Sequence, residues 1–170
     1  LMKMTTIVRG EDHLTNTAGQ AALYQAFQAP LPTFWHLPIL CNIEGKKLSK
    51  RDFGFSLRDL KDAGFLPEAL LNYLAIIGGG SFKNEIMSID ELAQAIDFDN
   101  ISSTGQVKYD VEKLKWINNK WIDRLNPTTL TERCLPFLKE AYPKQIADMN
   151  LEKLTAILQI LKTDFNTCND

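Results

Sequence analysis

The sequence predicts a mainly α-helical chain with a small α/β part at its N-terminal end. Two observations support this prediction. Residues 1–54 contain short apolar strand segments around one helical segment, whereas helix start and stop signals follow one another from residue 55 onward. The chain has 170 residues and is 45% hydrophobic, which is enough for a sizeable core.

A strand-to-helix unit is predicted at the N-terminal end. Residues 5–9 form a short apolar strand, and Thr15 or Asn16 can cap the following helix, because short polar side chains accept hydrogen bonds from the first backbone N–H groups of a helix. Pro30 and Pro32 are expected to end this helix, since proline cannot donate the backbone hydrogen bond that a helix interior needs.

A second apolar strand region is predicted over residues 33–43, followed by a tight turn at Glu44-Gly45. Strand, helix and strand in this order are typical of an α/β domain. Functional groups in such sheets gather at the carboxyl ends of the strands. We therefore expect residues 9–13 and the loop 46–51 to lie at the same edge.

The rest of the chain is predicted to be helical. Capping or helix-opening residues begin four helices, and they are Ser56, Pro67, Ser88 and Asp110. Glu91 completes a capping box with Ser88. Gly64 stops the first helix, and Gly78-Gly79-Gly80 ends the second at about Ile77. The glycine triplet has an alternative as a phosphate-binding nest, although no Lys-Ser or Lys-Thr pair follows it.

Asn126-Pro127 marks the predicted boundary of a last segment. Residues 128–141 and 151–162 form two amphipathic helices of plainer composition. Their leucines and isoleucines need partner helices, so we expect some apolar surface on this segment to remain uncovered.

The most informative stretch is the loop from Lys46 to Arg51, which reads Lys-Lys-Leu-Ser-Lys-Arg. Cationic side chains around a small hydroxyl are suited to hold a polyphosphate, because they can follow negative charge as it moves between phosphates during a reaction. A solvated, lysine-rich surface turn is the alternative that the cluster by itself leaves open.

Composition argues against several classes of protein. The net charge of -2 provides no overall basic field for non-specific nucleic-acid binding, so any RNA contact must be a local patch. The 3 cysteines are widely spaced and form no Cys-x-x-Cys pair, which argues against a disulfide framework and a zinc knuckle and favours a reducing cytoplasm. No apolar run approaches the roughly 20 residues of a membrane span.

Two motifs follow one another in the sequence. The first is the segment Arg9-Gly10-Glu11-Asp12, and the second is the loop Lys47 to Arg51, which has the form Lys-x-Ser-Lys-Arg. With them the chain resembles the glutamyl-tRNA synthetases, a family of class I aminoacyl-tRNA synthetases. The resemblance covers about three quarters of the chain and includes further segments at residues 34–40, 56–59, 64–74, 109–110 and 114–118.

The resemblance implies three parts of a longer enzyme. Residues 1–54 would be the C-terminal part of a Rossmann-like catalytic domain, residues 55–125 a helical stem-contact region, and residues 126–170 the beginning of a helical anticodon-binding domain. The family's His-Ile-Gly-His-type motif, which meets the other face of ATP, does not occur in this sequence. We therefore expect the chain to be a C-terminal piece of a parent enzyme and to be inactive by itself.

The activity that the resemblance implies is that of a glutamate-tRNA ligase. Such an enzyme joins glutamate to ATP as an adenylate and then transfers the glutamyl group to the 3' end of tRNA. The expected partners are glutamate, ATP with Mg²⁺, and the tRNA for glutamate or also that for glutamine. The parent is expected to be monomeric, cytoplasmic and free of membranes, and no zinc or other metal site is expected in this segment. A non-catalytic tRNA-binding or interaction module derived from a synthetase is the alternative.

The resemblance assigns roles within the loop. Lys50 is the main phosphate contact, and Lys47 and Ser49 occupy further catalytic positions of the same motif. Arg51 adds positive charge for ATP binding. His13 lies where the family often has His or Trp next to the nucleotide, and a purely structural histidine is the alternative.

Arg9 matches the family arginine that binds the side-chain carboxylate of glutamate. A guanidinium fork is suited to a planar carboxylate. Its alternative is a structural ion pair with Glu11 or Asp12. Thr6 replaces a histidine that family members commonly carry, which puts any histidine-dependent role at that position in doubt.

Basic and aromatic side chains of the helical part are candidates for tRNA contacts. Those suited to phosphates are Arg58, Lys61, Lys108, Lys113 and Lys115, and a solvated helix face explains them equally well. The aromatic candidates for base stacking are Trp35, Trp116 and Trp121, for which apolar, periodic surroundings favour core packing instead.

Overall fold

A computed structural model shows the predicted mainly α-helical chain with a small α/β part, and it describes residues 3–49, 56–78, 82–97 and 106–170. The α/β part contains β1 (Thr6–Gly10), α1 (Leu14–Ala26), β2 (Thr33–Leu37) and β3 (Leu40–Cys41). The helical part contains α2 (Leu57–Asp62), α3 (Pro67–Ile77), α4 (Ile89–Ala95), β4 (Val107–Lys108), α5 (Val111–Arg124), α6 (Pro127–Ala141), α7 (Pro143–Ala147) and α8 (Leu151–Leu161). Single 3₁₀ turns precede α1 (Glu11–His13) and follow α8 (Lys162–Asp164).

The predicted cap of the first helix is wrong. The helix α1 starts at Leu14 with His13 as its N-cap residue, and no side chain caps it. The 3₁₀ turn runs directly into the helix, and the Leu14 N–H donates to the Glu11 carbonyl. Because this turn already supplies acceptors for the first N–H groups, neither Thr15 nor Asn16 has to do so.

The second strand region is divided between two sheets. The strand β2 pairs with β1 in parallel, and β3 pairs in parallel with β4. Pro38 lies between β2 and β3 and has no N–H for a ladder hydrogen bond, which explains the division. Neither β4 nor α7 was predicted, because elements of two and five residues are too short to show a hydrophobic period.

Local signals predict the starts of α2, α4 and α5 and the ends of α2 and α3 correctly. The Ser56 hydroxyl accepts from the Asp59 N–H at 3.1 Å, the Ser88 and Glu91 side chains form the capping box, and Asp110 caps α5. Gly64 has a φ of +81°, which favours glycine, and a Cβ there would lie 2.6 Å from the Asn169 backbone nitrogen. Gly78 caps α3, and the rest of the glycine triplet lies outside the described residues.

One hydrophobic core joins the helices on both sides of the predicted boundary at Asn126. Its fully buried members come from α3, α5 and α6, and they include Tyr73, Leu114, Ile117, Ile122 and Leu130. Leu154 and Leu158 of α8 pack into the same cluster. Helices 126–170 therefore depend on residues of α3 and α5 for their packing.

The prediction of core packing holds for Trp121 and is wrong for Trp116. Trp121 packs against the core, whereas Trp116 is 39% exposed between two lysines. The two residues lie on different faces of α5, because five positions turn an α-helix by about 140°.

Uncovered apolar surface is present on α8, as predicted. Leu151 and Ile160 are exposed, the latter by 77%, while Leu154 and Leu158 face the core. A second exposed apolar surface lies on the α/β part, where Phe27 is 80% exposed.

Candidate active site

Arg9 lies near the carboxyl end of β1, and neutral side chains hold its guanidinium group. Its Nε donates to His36 Nε2 at 3.3 Å, one terminal nitrogen donates to Gln20 Oε1 at 2.6 Å, and the other donates to Thr17 Oγ1 at 2.8 Å. The guanidinium carbon also lies 5.2 Å from the centroid of the Phe34 ring. Strands β1 and β2 and the helix α1 together fix the direction of this side chain.

No carboxylate within residues 3–49, 56–78, 82–97 and 106–170 forms an ion pair with Arg9. Glu11 accepts a hydrogen bond from the Ile39 N–H at 3.4 Å, and Asp12 pairs with Lys47. The structural alternative for Arg9, an ion pair with one of these acids, is therefore wrong. A guanidinium has five N–H donors, so the three observed bonds leave one N–H on each terminal nitrogen for a ligand.

The start of the basic loop is fixed to β3 by a short hairpin turn. The Lys46 carbonyl accepts from the Asn42 N–H at 2.8 Å, and the Leu48 N–H donates to the Leu40 carbonyl at 3.0 Å. Gly45 takes a φ of +80° in this turn, as the predicted Glu44-Gly45 turn requires. The turn places Lys47 opposite Cys41 in an antiparallel bridge.

Lys47 connects the loop to the carboxyl end of β1. Its Nζ lies 3.2 Å from Asp12 Oδ2, and this hydrogen bond holds the pKa of the exposed Asp12 carboxyl below its usual value. Exposed pairs of this kind contribute little to stability. The Lys47 ammonium can therefore exchange this carboxylate for a phosphate at low cost.

The other predicted site residues are either exposed or outside the described residues. His13 is exposed at the start of α1, with its Nδ1 3.2 Å from Asn16 Nδ2. Ser49 is exposed beside the end of the hairpin. Lys50 and Arg51, predicted as the main phosphate contact and an additional cation, lie outside the described residues.

Sequence reasoning missed three side chains that position Arg9, namely Thr17, Gln20 and His36. Thr17 and Gln20 are three positions apart on α1, so they share one helix face. His36 is the register partner of Arg9 across the parallel pair β1 and β2. The helical spacing was available from the sequence, but the strand register was not.

The helical part is attached to the base of the loop. The Tyr109 N–H donates to the Cys41 carbonyl at 2.7 Å, and the neighbouring Asp110 N–H donates to the Tyr73 hydroxyl oxygen at 2.6 Å. Burial raises the pKa of Tyr109 to about 12 and, as the largest cause, also raises that of Tyr73. Both tyrosines are therefore neutral near pH 7. The Tyr109 backbone joins the end of β4 to β3, and the Tyr73 hydroxyl joins the start of α5 to α3.

Residues 1–116, which contain Arg9 and Lys47, match the profile of the catalytic domain of the class I tRNA synthetases for glutamate and glutamine. The chain belongs to this family. Curated relatives of the synthetase chain include the glutamate-tRNA ligase of Prochlorococcus marinus, which is 45% identical over 133 residues, or 77% of this chain and 28% of that protein. The glutamate-tRNA ligase of Finegoldia magna is 40% identical over 171 residues, which cover 94% of this chain and 35% of that protein.

Solved structures of the family have the same fold as the synthetase chain. A glutamate tRNA ligase from Elizabethkingia meningosepticum, crystallised in complex with its amino acid, has a TM-score of 0.80 at 29% identity, over 99% of this chain and 36% of its own. A glutamate-tRNA synthetase from Elizabethkingia anophelis has a TM-score of 0.81 at 29% identity, over 99% and 37%. The synthetase chain thus spans about a third of the length of these relatives.

Two further properties concern only the described part of the synthetase chain. It contains no helix of sufficient length and apolar character to cross a membrane. It also contains no group of three or more His, Cys, Asp or Glu side chains placed to hold a metal ion.

Proposed function

We propose that the chain is part of a glutamate-tRNA ligase that activates glutamate with ATP and transfers it to the 3' end of tRNA. The observation that carries the proposal is the guanidinium of Arg9, which neutral partners orient and no described carboxylate neutralises. A glutamate side chain would supply the missing negative charge in a planar form that fits the fork. Glutamine has no charge to offer, so the same arrangement disfavours it.

Lys47, Lys50 and Arg51 would bind the ATP phosphates, and Ser49 would fix the geometry of the loop. When the carboxylate of glutamate attacks the α-phosphate, negative charge develops on the leaving pyrophosphate, and positioned cations stabilise it without a covalent enzyme intermediate. The Lys47 to Asp12 contact supports this role, because it places one loop cation at the end of β1, the strand that carries Arg9. His13, exposed at the same strand end, would contact the nucleotide.

Mg²⁺ would reach this site on the phosphates of ATP. Magnesium commonly keeps several waters and binds through substrate phosphates with only one or two carboxylates. That mode requires no cluster of protein ligands, and the described residues offer none.

The parent would carry out both steps as a monomer in the cytoplasm, on the tRNA for glutamate or also on that for glutamine. Within it, residues 1–54 would belong to the catalytic domain, residues 55–125 to a stem-contact region and residues 126–170 to an anticodon-binding domain. The chain alone is expected to be inactive, because it spans only about a third of the length of its relatives and the His-Ile-Gly-His-type motif does not occur in its sequence.

The decisive test is the substitution Lys50→Ala in the complete enzyme. Removal of one transition-state contact should lower the rate of adenylate formation by about 10²-fold, measured as ATP consumption in the presence of glutamate and tRNA. The matched control is Lys46→Ala, because Lys46 is an exposed lysine of the same loop that pairs with Glu44 at 2.9 Å. If the parent is instead a non-catalytic tRNA-binding module, neither the unsubstituted protein nor the Lys50→Ala variant should form an adenylate. Lys50→Ala should then only weaken the affinity for tRNA, and this effect should depend on salt.

A tRNA interface on the helical part has a separate test. Arg58 and Lys61 are exposed on α2, whereas Lys115 pairs with Glu112 at 2.9 Å. If both α2 residues contact phosphates, the double substitution Arg58→Ala and Lys61→Ala should reduce the slope of log Kd against log salt by about 2. Arg58→Lys, which keeps the positive charge, is the control and should leave the slope nearly unchanged. An unchanged slope in the double variant would assign Arg58 and Lys61 to a solvated helix face.

A further inference from the structure

The imidazole of His36 is bonded from two sides at one nitrogen. Arg9 Nε donates to His36 Nε2 at 3.3 Å, and Thr17 Oγ1 lies 3.0 Å from the same nitrogen. The Thr17 oxygen also accepts from a terminal nitrogen of Arg9 at 2.8 Å. The three side chains therefore form a closed ring of hydrogen bonds along one edge of the Arg9 guanidinium.

This ring is compatible with one state of the imidazole. A guanidinium has donors and no acceptor, so the bond from Arg9 Nε requires a lone pair on His36 Nε2. A neutral imidazole has one N–H and one nitrogen with a lone pair, which places its proton on Nδ1. The Thr17 hydroxyl then donates to His36 and accepts from Arg9, and each bond of the ring joins one donor to one acceptor.

The sheet fixes the place of His36 beside Arg9. The two residues are register partners in the parallel pair of β1 and β2. Phe34 lies two positions before His36 and therefore on the same face of β2, where the two rings are nearly parallel with centroids 6.4 Å apart. The Phe34 ring also lies 5.2 Å from the guanidinium carbon of Arg9.

A proton on His36 Nε2 would disrupt this arrangement. It would set one N–H against another across 3.3 Å and place two positive charges side by side, which is unfavourable. Arg9 is the charged group that contacts His36 from β1. The 3₁₀ turn that packs against β2 carries Glu11, Asp12 and His13, and these side chains bond to other groups. Within the described residues, no carboxylate bonds to His36 that could offset the second charge.

We propose that neutral His36 positions Arg9 for the side-chain carboxylate of glutamate, and that protonation of His36 therefore weakens glutamate binding. This inference rests on the proposed function, because it takes Arg9 to bind glutamate. His36 touches no substrate in this role. It acts through Arg9, whose remaining N–H groups it holds in place for the ligand. Glutamate should thus bind tightly where His36 is neutral and weakly where His36 carries a second proton.

The tautomer of His36 can be measured in the 170-residue protein by a long-range ¹H–¹⁵N correlation spectrum of the histidine side chains. The sequence has 2 histidines, and the signals that disappear in His36→Gln identify those of His36. We expect His36 at about pH 8 to carry its proton on Nδ1 and to have an unprotonated Nε2. A proton on Nε2 would overturn the proposal.

The functional test compares two substitutions in the complete enzyme. His36→Phe keeps a planar ring beside Phe34 but removes the acceptor, whereas His36→Gln keeps an acceptor oxygen at about the position of Nε2. We expect His36→Phe to raise KM for glutamate by about 10- to 100-fold, because a hydrogen bond to a charged group is lost. His36→Gln should raise it by less than about 3-fold, and KM for ATP should change by less than about 3-fold in both variants.

Acid pH provides a readout that a purely structural role of His36 would not change. KM for glutamate in the unsubstituted enzyme should rise by about 10-fold between about pH 8 and about pH 5.5, because histidine takes up a proton in this range while the glutamate side chain keeps its charge. His36→Gln should remove most of this rise, since an amide does not titrate there.

The outcomes distinguish this inference from the proposed function. An unsubstituted enzyme that consumes no ATP with glutamate and tRNA would contradict the proposed function. In an active enzyme, the inference is overturned by equal KM values for glutamate in the two variants, by a parallel rise in KM for ATP, or by an acid rise that His36→Gln retains. Urea unfolding of both variants of the 170-residue protein shows whether each one folds, and the tautomer measurement decides the question if His36→Phe does not.

Discussion

Replacing Arg9 with glutamine in the complete enzyme should lower kcat/KM for glutamate by on the order of 10³-fold, because the loss of one partner of a desolvated charge pair costs about 2–5 kcal/mol. The glutamine side chain at position 9 keeps part of the length of the arginine side chain and one hydrogen-bonding amide group, but it lacks the positive charge and the two parallel N–H donors. The effect should appear in the titration of glutamate in an aminoacylation assay. The KM for ATP should change little, because the loop lysines and not Arg9 are assigned to the phosphates.

Arg124→Gln is the matched control for Arg9→Gln. Arg124 also lies over an aromatic ring, 5.7 Å from the centroid of Trp121, and donates to the Ile86 carbonyl at 3.4 Å. It belongs to α5 and not to the candidate site. If both variants lose activity equally, or if Arg9→Gln raises the KM values for ATP and glutamate together, Arg9 supports the fold and does not bind the substrate carboxylate.

Replacing Asn118 with alanine should lower the free energy of unfolding of the chain by about 2–4 kcal/mol, because buried polar groups that lose their partners cost about 1–3 kcal/mol each. Asn118 is 0% exposed. Its Oδ1 accepts from the Leu66 N–H at 2.8 Å, and its Nδ2 donates to the Asn166 carbonyl at 2.7 Å. The substitution leaves a donor and an acceptor without partners at the junction of three chain segments.

Urea unfolding of the 170-residue protein measures this effect, and Asn119→Ala is its control. Asn119 is the next residue of α5, and its Nδ2 donates to the Thr163 and Phe165 carbonyls at 2.9 and 2.7 Å. Because Asn119 is only half-buried, water can replace those bonds, so we expect a cost below about 1 kcal/mol. Equal costs for the two substitutions would show that Asn118 is no more important than its half-buried neighbour.

The parts of the fold that were predicted correctly depend on contacts within a few residues. The bond from the Asp59 N–H to the Ser56 hydroxyl spans three positions, and so do both bonds of the capping box of Ser88 and Glu91. Such signals can be read in a short window of sequence. The failed cap at Thr15 or Asn16 shows the limit of this method, because the helix continues directly from a 3₁₀ turn and starts at Leu14, whose N–H donates to the Glu11 carbonyl.

The candidate site could be predicted only in part. The residue types of Arg9 and Lys47 and their resemblance to a family motif pointed to carboxylate and phosphate chemistry. The environment of Arg9 could not be predicted, since it requires the register between β1 and β2 that places His36 beside Arg9. The same is true of the exposure of Trp116, which depends on the face of α5 that the other helices cover.

The class of fold, the helix ends with strong local caps, and the chemical character of the arginine segment and the lysine loop could all be predicted from the residues. That no described acid neutralises Arg9, that Lys47 reaches Asp12, and that Asn118 joins Leu66 to Asn166 became visible in the folded chain. This difference follows from the range of the interactions. Caps and turns are formed by neighbours in the chain, whereas strand register and buried hydrogen bonds join segments that are distant in the sequence.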